Sequence, residues 1–249
     1  MQRYFISEKK QELMYLEPGD IYHSKKVMRN NVGDKVVGID KIGNNYICEI
    51  VNVDIGEIKI LEKIHNETEL DVSVTLIYAL PKGDKFELVL QKSTELGVHR
   101  IVPLQTNRCV IKTNQEKFTK KKVRYQKIVK EASEQSYRNR IPIIEDVISI
   151  HDINKYTSIY NIVAYEEDAK VGEQKQLANT LTQLQSGDSI TIIVGCEGGF
   201  DEQEIQIMQS MGVQSCSLGK RILRSETAPL YMLSVIGYIR ELGGENEVI

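Results

Sequence analysis

Two stretches of the sequence carry residue types that could do chemistry on a bound ligand. One is Gly195-Cys196-Glu197-Gly198-Gly199-Phe200. The other is Leu218-Gly219-Lys220-Arg221-Ile222-Leu223-Arg224-Ser225-Glu226-Thr227-Ala228-Pro229. Each follows a short apolar run and precedes a helical pattern, so each reads as a turn at the carboxyl end of a strand, where open α/β sheets bind ligands. The glycines of the first loop let a ligand approach the main chain, and the amides that open the next helix favour anionic or carboxylate groups. The spacing is not GxGxxG, no Gly-Lys-Ser/Thr follows, and Glu197 would repel a pyrophosphate, so dinucleotide and Walker-type phosphate sites are disfavoured. A ligand with a cationic or hydrogen-bond-donating group matches better. In the second loop a guanidinium, two hydroxyls and a carboxylate stand together at Arg224, Ser225, Glu226 and Thr227. Helix capping by Ser225 or Thr227 explains part of this run but not Arg221 and Arg224. Ile222 and Leu223, apolar residues in an irregular segment, pack against a flat ligand or the core.

The elements that must position these loops fall into two regimes. Arg3–Ser7, Lys35–Asp40, Tyr46–Val53 and Glu57–Ile64 are short β-prone runs, with Gly33-Asp34 and Gly43-Asn44-Asn45 as turn signals, and a short helix is expected near Ile21–Arg29. Spacing this tight predicts a small barrel. The polar stretch Glu67–Asp71 marks the boundary, giving domains at 1–71 and 72–249. From Val72 the pattern becomes strand–helix alternation. Strands are predicted at Val72–Leu80, Arg100–Leu104, Ile159–Tyr165, Ile190–Val194 and Gln214–Leu218, and helices follow Asp84, Asp201 and Thr227. Asp201 with Glu204 forms a capping-box pattern. Such alternation predicts an α/β fold with a parallel sheet.

The 249 residues are 41% hydrophobic and 27% charged, as in an ordinary soluble globular protein. No apolar run approaches a membrane span, and the amino terminus lacks a signal-peptide pattern, so a cytoplasmic location is expected. The four cysteines and four histidines are scattered, which predicts neither disulfides nor a metal site. Net charge is −3, yet Lys117–Lys130 reads KFTKKKVRYQKIVK without an acidic residue, and Arg138 and Arg140 follow. Its apolar positions Tyr125, Ile128, Val129 and Ala132 keep helical spacing, so the segment is an amphipathic basic helix. Taken alone, such a run is more often a solvated face than a polyanion site.

The wording and order of these motifs resemble the SPOUT methyltransferases, and most of all their RsmE family, which methylates N3 of a uridine in small-subunit ribosomal RNA. Beyond the two loops, the resemblance rests on His23-Ser24-Lys25-Lys26-Val27-Met28-Arg29 with Gly33-Asp34, and on Lys82-Gly83-Asp84-Lys85 with Lys92-Ser93-Thr94-Glu95-Leu96-Gly97-Val98. It also rests on Glu131-Ala132-Ser133-Glu134-Gln135-Ser136 with Arg138 and Pro142. It covers nearly the whole chain. Two departures are Cys196, where many relatives carry proline, and Met28, where leucine is commoner. The resemblance implies a PUA-like, RNA-binding β-barrel over 1–71, a SPOUT domain with a deep trefoil knot over 72–249, S-adenosyl-L-methionine as cofactor, and a homodimer whose sites are completed by the partner chain. The implied target is uridine 1498 of 16S rRNA in the small ribosomal subunit.

Given that resemblance, the cofactor site is expected at Ala164, Tyr165, Gly195, Glu197, Gly198, Gly199, Leu218, Gly219, Ile222 and Leu223, with Ile222 and Leu223 flanking the adenine. Methylating the imide nitrogen removes its proton and sends negative charge onto the flanking carbonyls, which an arginine stabilises. Arg224 is the first candidate and Arg138 the next. Glu197 is a candidate base, or a residue that holds the loop or the cofactor. Arg3, Lys25, Lys26, Arg29, Lys121, Lys122, Arg124, Arg138 and Arg140 are expected to contact RNA phosphates. The competing readings are a related enzyme acting on transfer RNA or a ribose hydroxyl, and a non-catalytic RNA-binding assembly factor.

Overall fold

The computed structural model describes residues 1–170, 172 and 175–243. Its contacts divide the chain into Met1–Glu69 with Ser133–Arg140, and Leu70–Ala132 with Ile141–Ile249.

The first unit is a closed barrel. Strands β1 (Arg3–Lys10), β2 (Leu13–Leu16), β3 (Lys35–Ile39), β4 (Asn45–Asn52) and β5 (Glu57–Ile64) pair in the order β1-β2-β5-β4-β3, and a parallel β1–β3 ladder closes the ring. Alternating residues from these strands, among them Tyr4, Ile6, Met14, Val36, Cys48, Ile50 and Ile58, fill the interior. Gly38 makes the close packing possible, since a Cβ there would sit 2.9 Å from the Met14 sulfur. Helix α1 (Pro18–Tyr22) starts on Pro18 and runs into a wider turn at His23–Val27, earlier than the predicted Ile21–Arg29. The four-residue β2 was not anticipated.

Ser133–Arg140 joins this unit through polar contacts. The Asn139 side-chain oxygen accepts from Asn45 at 2.8 Å and from Asn66 at 3.1 Å. Glu69 accepts from Arg138 at 2.6 Å and from the Asn139 amide at 2.8 Å. Arg3 lies over the Tyr137 ring and donates to Asn45. The sequence reading had placed this segment in the second domain.

The second unit is a parallel sheet. It is formed by β6 (Ser73–Ala79), β7 (Arg100–Gln105), β8 (Ile143–Ile144), β10 (Tyr160–Ala164), β11 (Ser189–Val194) and β12 (Gln214–Cys216), in the order β12-β10-β11-β6-β7-β8, with β9 (Ile148–Ser149) beside β7. Every pairing is parallel. The mostly apolar strands β6 and β11 are buried throughout their centres, Thr75 and Thr191 included, as strands covered on both faces require. The connecting helices are α2 (Lys85–Glu95), α3 (Gln115–Gln135), α4 (Glu166–Lys170), α5 (Gln176–Gln183), α6 (Glu202–Ser210) and α7 (Thr227–Gly237). The predicted apolar face of α3 is real, since Tyr125, Val129 and Ala132 are buried. Tyr125 also packs edge-on to Phe86. Among the described residues no helix is long and apolar enough to cross a membrane.

Candidate active site

Strand order brings the two loops together. β10 lies between β11 and β12, and all three run the same way, so their carboxyl ends share one edge. The segments that leave those ends, Ala164–Glu167, Val194–Glu197 with Gly199 and Phe200, and Leu218–Ser225, line a cavity of about 790 Å³ with Lys85, Arg108, Glu202 and Ala228.

Local chemistry shapes each wall. The first loop folds back on itself, with the Gly199 amide donating to the Cys196 carbonyl at 2.9 Å and Gly199 at φ 64°. A Cβ on Gly195 would lie 3.0 Å from the Gly199 Cα and 3.2 Å from the Phe200 ring. Asp201 and Glu204 form the predicted capping box at the start of α6, with bonds of 2.8 and 3.0 Å. The loop after β7 braces this turn. The Asn107 amide donates to Glu204 at 2.8 Å, and the Arg108 guanidinium donates to the Gly198 carbonyl at 2.9 Å. In the second loop, Gly219 has φ 94°, which favours glycine. The Arg224 carbonyl accepts from the Thr227 and Ala228 amides at 2.9 and 3.0 Å, fixing the residue at the mouth of α7.

Of the predicted cofactor residues, Ala164, Tyr165, Gly195, Glu197, Gly199, Leu218, Gly219, Ile222 and Leu223 line the cavity. Gly198 does not; its carbonyl is taken by Arg108. Ile222 is 78% exposed, so its side chain forms little of the wall, whereas Leu223 packs against the core.

Arg224 and Glu197 also line the cavity. The Arg224 side chain forms no ion pair among the described residues. Glu197 is engaged: its carboxylate lies 2.9 Å from the Lys85 ammonium and accepts from the Lys82 amide at 3.2 Å. Burial alone would push its carboxyl up, but these partners outweigh it and hold it below the ordinary carboxylate range. Glu226 is held low in the same way against burial, by its own backbone, by Lys85 at 3.0 Å and by the Ser225 hydroxyl. Sequence reasoning missed Lys85 as a site residue, although a lysine at the first residue of a helix, where the dipole disfavours a cation, was the available signal.

Arg138 is not part of the cavity lining. It is 2% exposed and pairs with Glu69 within the barrel unit. Arg3 is 4% exposed inside the same unit. Burial of both guanidinium groups in this chain argues against RNA contact by either, and Arg138 lies outside this chain's cavity lining. Arg138→Ala is expected to cost about 2–3 kcal/mol of stability, below the roughly 3–5 of a fully buried broken pair because Glu69 is partly solvated, measured by urea unfolding. Activity per folded molecule should stay near wild type.

The remaining predicted RNA contacts are exposed or partly so. Lys25 pairs with Asp54, Lys122 with Asp146 and Arg124 with Glu87, whereas Lys26, Arg29, Lys121 and Arg140 are exposed without an ion pair among the described residues. Among the described residues no group of three or more His, Cys, Asp or Glu is placed to hold a metal.

With this geometry in view, the likeness to known proteins is specific. A family model described as an RNA methyltransferase domain matches residues 68–237. The chain is 39% identical to the ribosomal RNA small subunit methyltransferase E of Bacillus subtilis, covering 97% of this chain and 98% of that one. It is 31% identical to the protein of the same name from Synechocystis, covering 91% of this chain and 73% of that one. A crystal structure of the Neisseria gonorrhoeae protein of that name, bound to S-adenosyl methionine, superposes with a TM-score of 0.82 at 28% identity. It covers 96% of this chain and 98% of that one.

Proposed function

The chain belongs to the ribosomal RNA small subunit methyltransferase E family of RNA methyltransferases, and on that footing we propose that it transfers a methyl group from S-adenosyl-L-methionine to N3 of uridine 1498 in 16S rRNA. The observation that carries this reading is the cavity at three adjacent parallel strand ends, with the Arg224 guanidinium, which has no ion pair among the described residues, in its lining.

The residues present fit the cofactor. The cavity falls within the usual size for a small-molecule site. Its turn leaves no room for a side chain at Gly195 and holds Gly199 at a positive φ that favours glycine, and Val194, Leu218 and Leu223 supply apolar wall. When bound, the cofactor supplies a methyl group on a sulfonium. The main chain of Gly195 to Glu197, of Gly199 and of 218–223 would hold its polar portions. Arg224 faces the uracil carbonyls and stabilises the negative charge that develops as N3 loses its proton to solvent. Glu197 is an ion-paired strut and not the proton acceptor, because a carboxyl held low by Lys85 accepts a proton poorly.

Lys26, Arg29, Lys121 and Arg140 form the reduced phosphate-contacting set. The paired lysines and arginines of α3 add to it, since exposed ion pairs are weak enough for a phosphate to displace. The same reading carries the knotted path of the second unit, a cytoplasmic location and a homodimer. Exposed Tyr231, Tyr238 and Leu242 on and just after α7 support the dimer.

Nucleoside mass spectrometry of 16S rRNA from a strain lacking the gene tests the assignment. The strain is expected to lose N3-methyluridine from the small subunit. Undiminished N3-methyluridine would favour the transfer-RNA, ribose-hydroxyl or non-catalytic alternatives.

A further inference from the structure

Lysine is an unfavourable first residue for a helix, because the positive end of the helix dipole repels it. Lys85 holds that place in α2. The position is explained by what its ammonium touches: Glu197 Oε1 at 2.9 Å and Glu226 Oε2 at 3.0 Å. Glu197 belongs to the loop after β11, and Glu226 to the loop after β12. One cation therefore joins three separate segments at the cavity wall. Without it, two carboxylates would face each other across a partly buried gap.

We propose that Lys85 is a positioning residue: by clamping Glu197 and Glu226 it fixes the spacing of the two loops, so that the cavity is ready for the cofactor. The proposal rests on the methyltransferase reading. Mutual repulsion of the acids would otherwise spread the loops, and the cofactor would have to close them again on binding. The other titratable groups facing the two carboxylates are the Tyr78 hydroxyl from β6 and the Cys196 thiol. Burial keeps Tyr78 protonated. Cys196 is drawn down by its hydrogen bond with Cys109. Arg108 and Arg224 line the same cavity.

The test compares wild type, K85M, K85R and K85M/E226Q by calorimetry with S-adenosylmethionine and by steady-state methyl transfer to small subunits. K85M is expected to raise the KM for the cofactor about 30-fold, with kcat at saturation within about threefold, and K85R to restore most of the affinity. Between pH 5 and 8, K85M should lose affinity more steeply than wild type as pH rises. The like-charged neighbour raises one carboxyl's pKa, and its ionisation as pH rises drives the loops apart. K85M/E226Q should lose the added slope. The proposal is overturned if K85M binds within threefold of wild type, if kcat falls while KM holds, if no added pH slope appears, or if K85R fails to rescue. If K85M does not fold, K85Q and E226Q carry the same comparison. A wild type that neither binds the cofactor nor transfers a methyl group would instead remove the underlying reading.

Discussion

Arg224→Ala is expected to lower the turnover of methyl transfer to small ribosomal subunits by about 10²–10³-fold, the scale seen when one donor to a developing oxyanion is removed. The affinity for S-adenosylmethionine should stay within a few-fold of wild type. The separation follows from where the residue sits. Its backbone carbonyl receives the first amides of α7, a role alanine preserves. Its guanidinium pairs with no carboxylate among the described residues, so its loss leaves no buried charge stranded. Arg224→Lys keeps the charge without the planar fork and should recover only part of the rate. Single-turnover rates with saturating cofactor, beside calorimetric binding, make the comparison. Wild-type turnover in Arg224→Ala would take the residue out of the mechanism.

Gly195→Val has the opposite signature. A Cβ at this position already meets the Gly199 main chain at 3.0 and 3.2 Å and the Phe200 ring at 3.2 Å. Two further methyls must push the turn open. Backbone is the part of a binding loop that cannot step aside, and misplacement by about 1 Å is enough to cost 10²-fold. The cofactor affinity is therefore expected to fall by about 100-fold or more, while the melting temperature drops only a few degrees because the strands beneath are unchanged. Calorimetry and thermal unfolding of the same preparation check both halves. Cofactor binding at wild-type strength would mean the turn does not form the cradle.

The two variants divide the site as the sequence itself divides it. The glycine loop was legible as a close-approach turn because three glycines follow a mostly apolar strand. The arginine loop was legible because helix capping left Arg221 and Arg224 unexplained. β11 and the capping box of α6 could be read from local pattern alone. What local pattern could not show was long-range pairing. Arg138 looked like a free cation beside Arg140 in a basic stretch, yet its partner is Glu69, far away in sequence. Asn139 accepts from Asn45 and from Arg3 by the same kind of contact, and these bonds draw Ser133–Arg140 into the barrel unit. Glu197 read as either a base or a carboxylate that holds the loop or the cofactor, and local pattern could not show Lys85 against it. Ile222 shows the limit of hydrophobicity as a guide within loops, since an apolar residue between arginines points as readily into solvent as onto a ligand. The short β2, with a lysine pair before it and a glutamate after it, carried too little pattern to stand out.

The central claim is that this cavity passes a methyl group to N3 of one uridine in small-subunit RNA. The most direct measurement incubates the purified protein with isotopically labelled S-adenosylmethionine and small subunits from a strain lacking the gene, then digests the RNA and identifies the labelled nucleoside by mass spectrometry. The account predicts label in N3-methyluridine from a single site, absent with subunits already modified. Label in any other nucleoside, or none at all from protein that binds the cofactor, would contradict it.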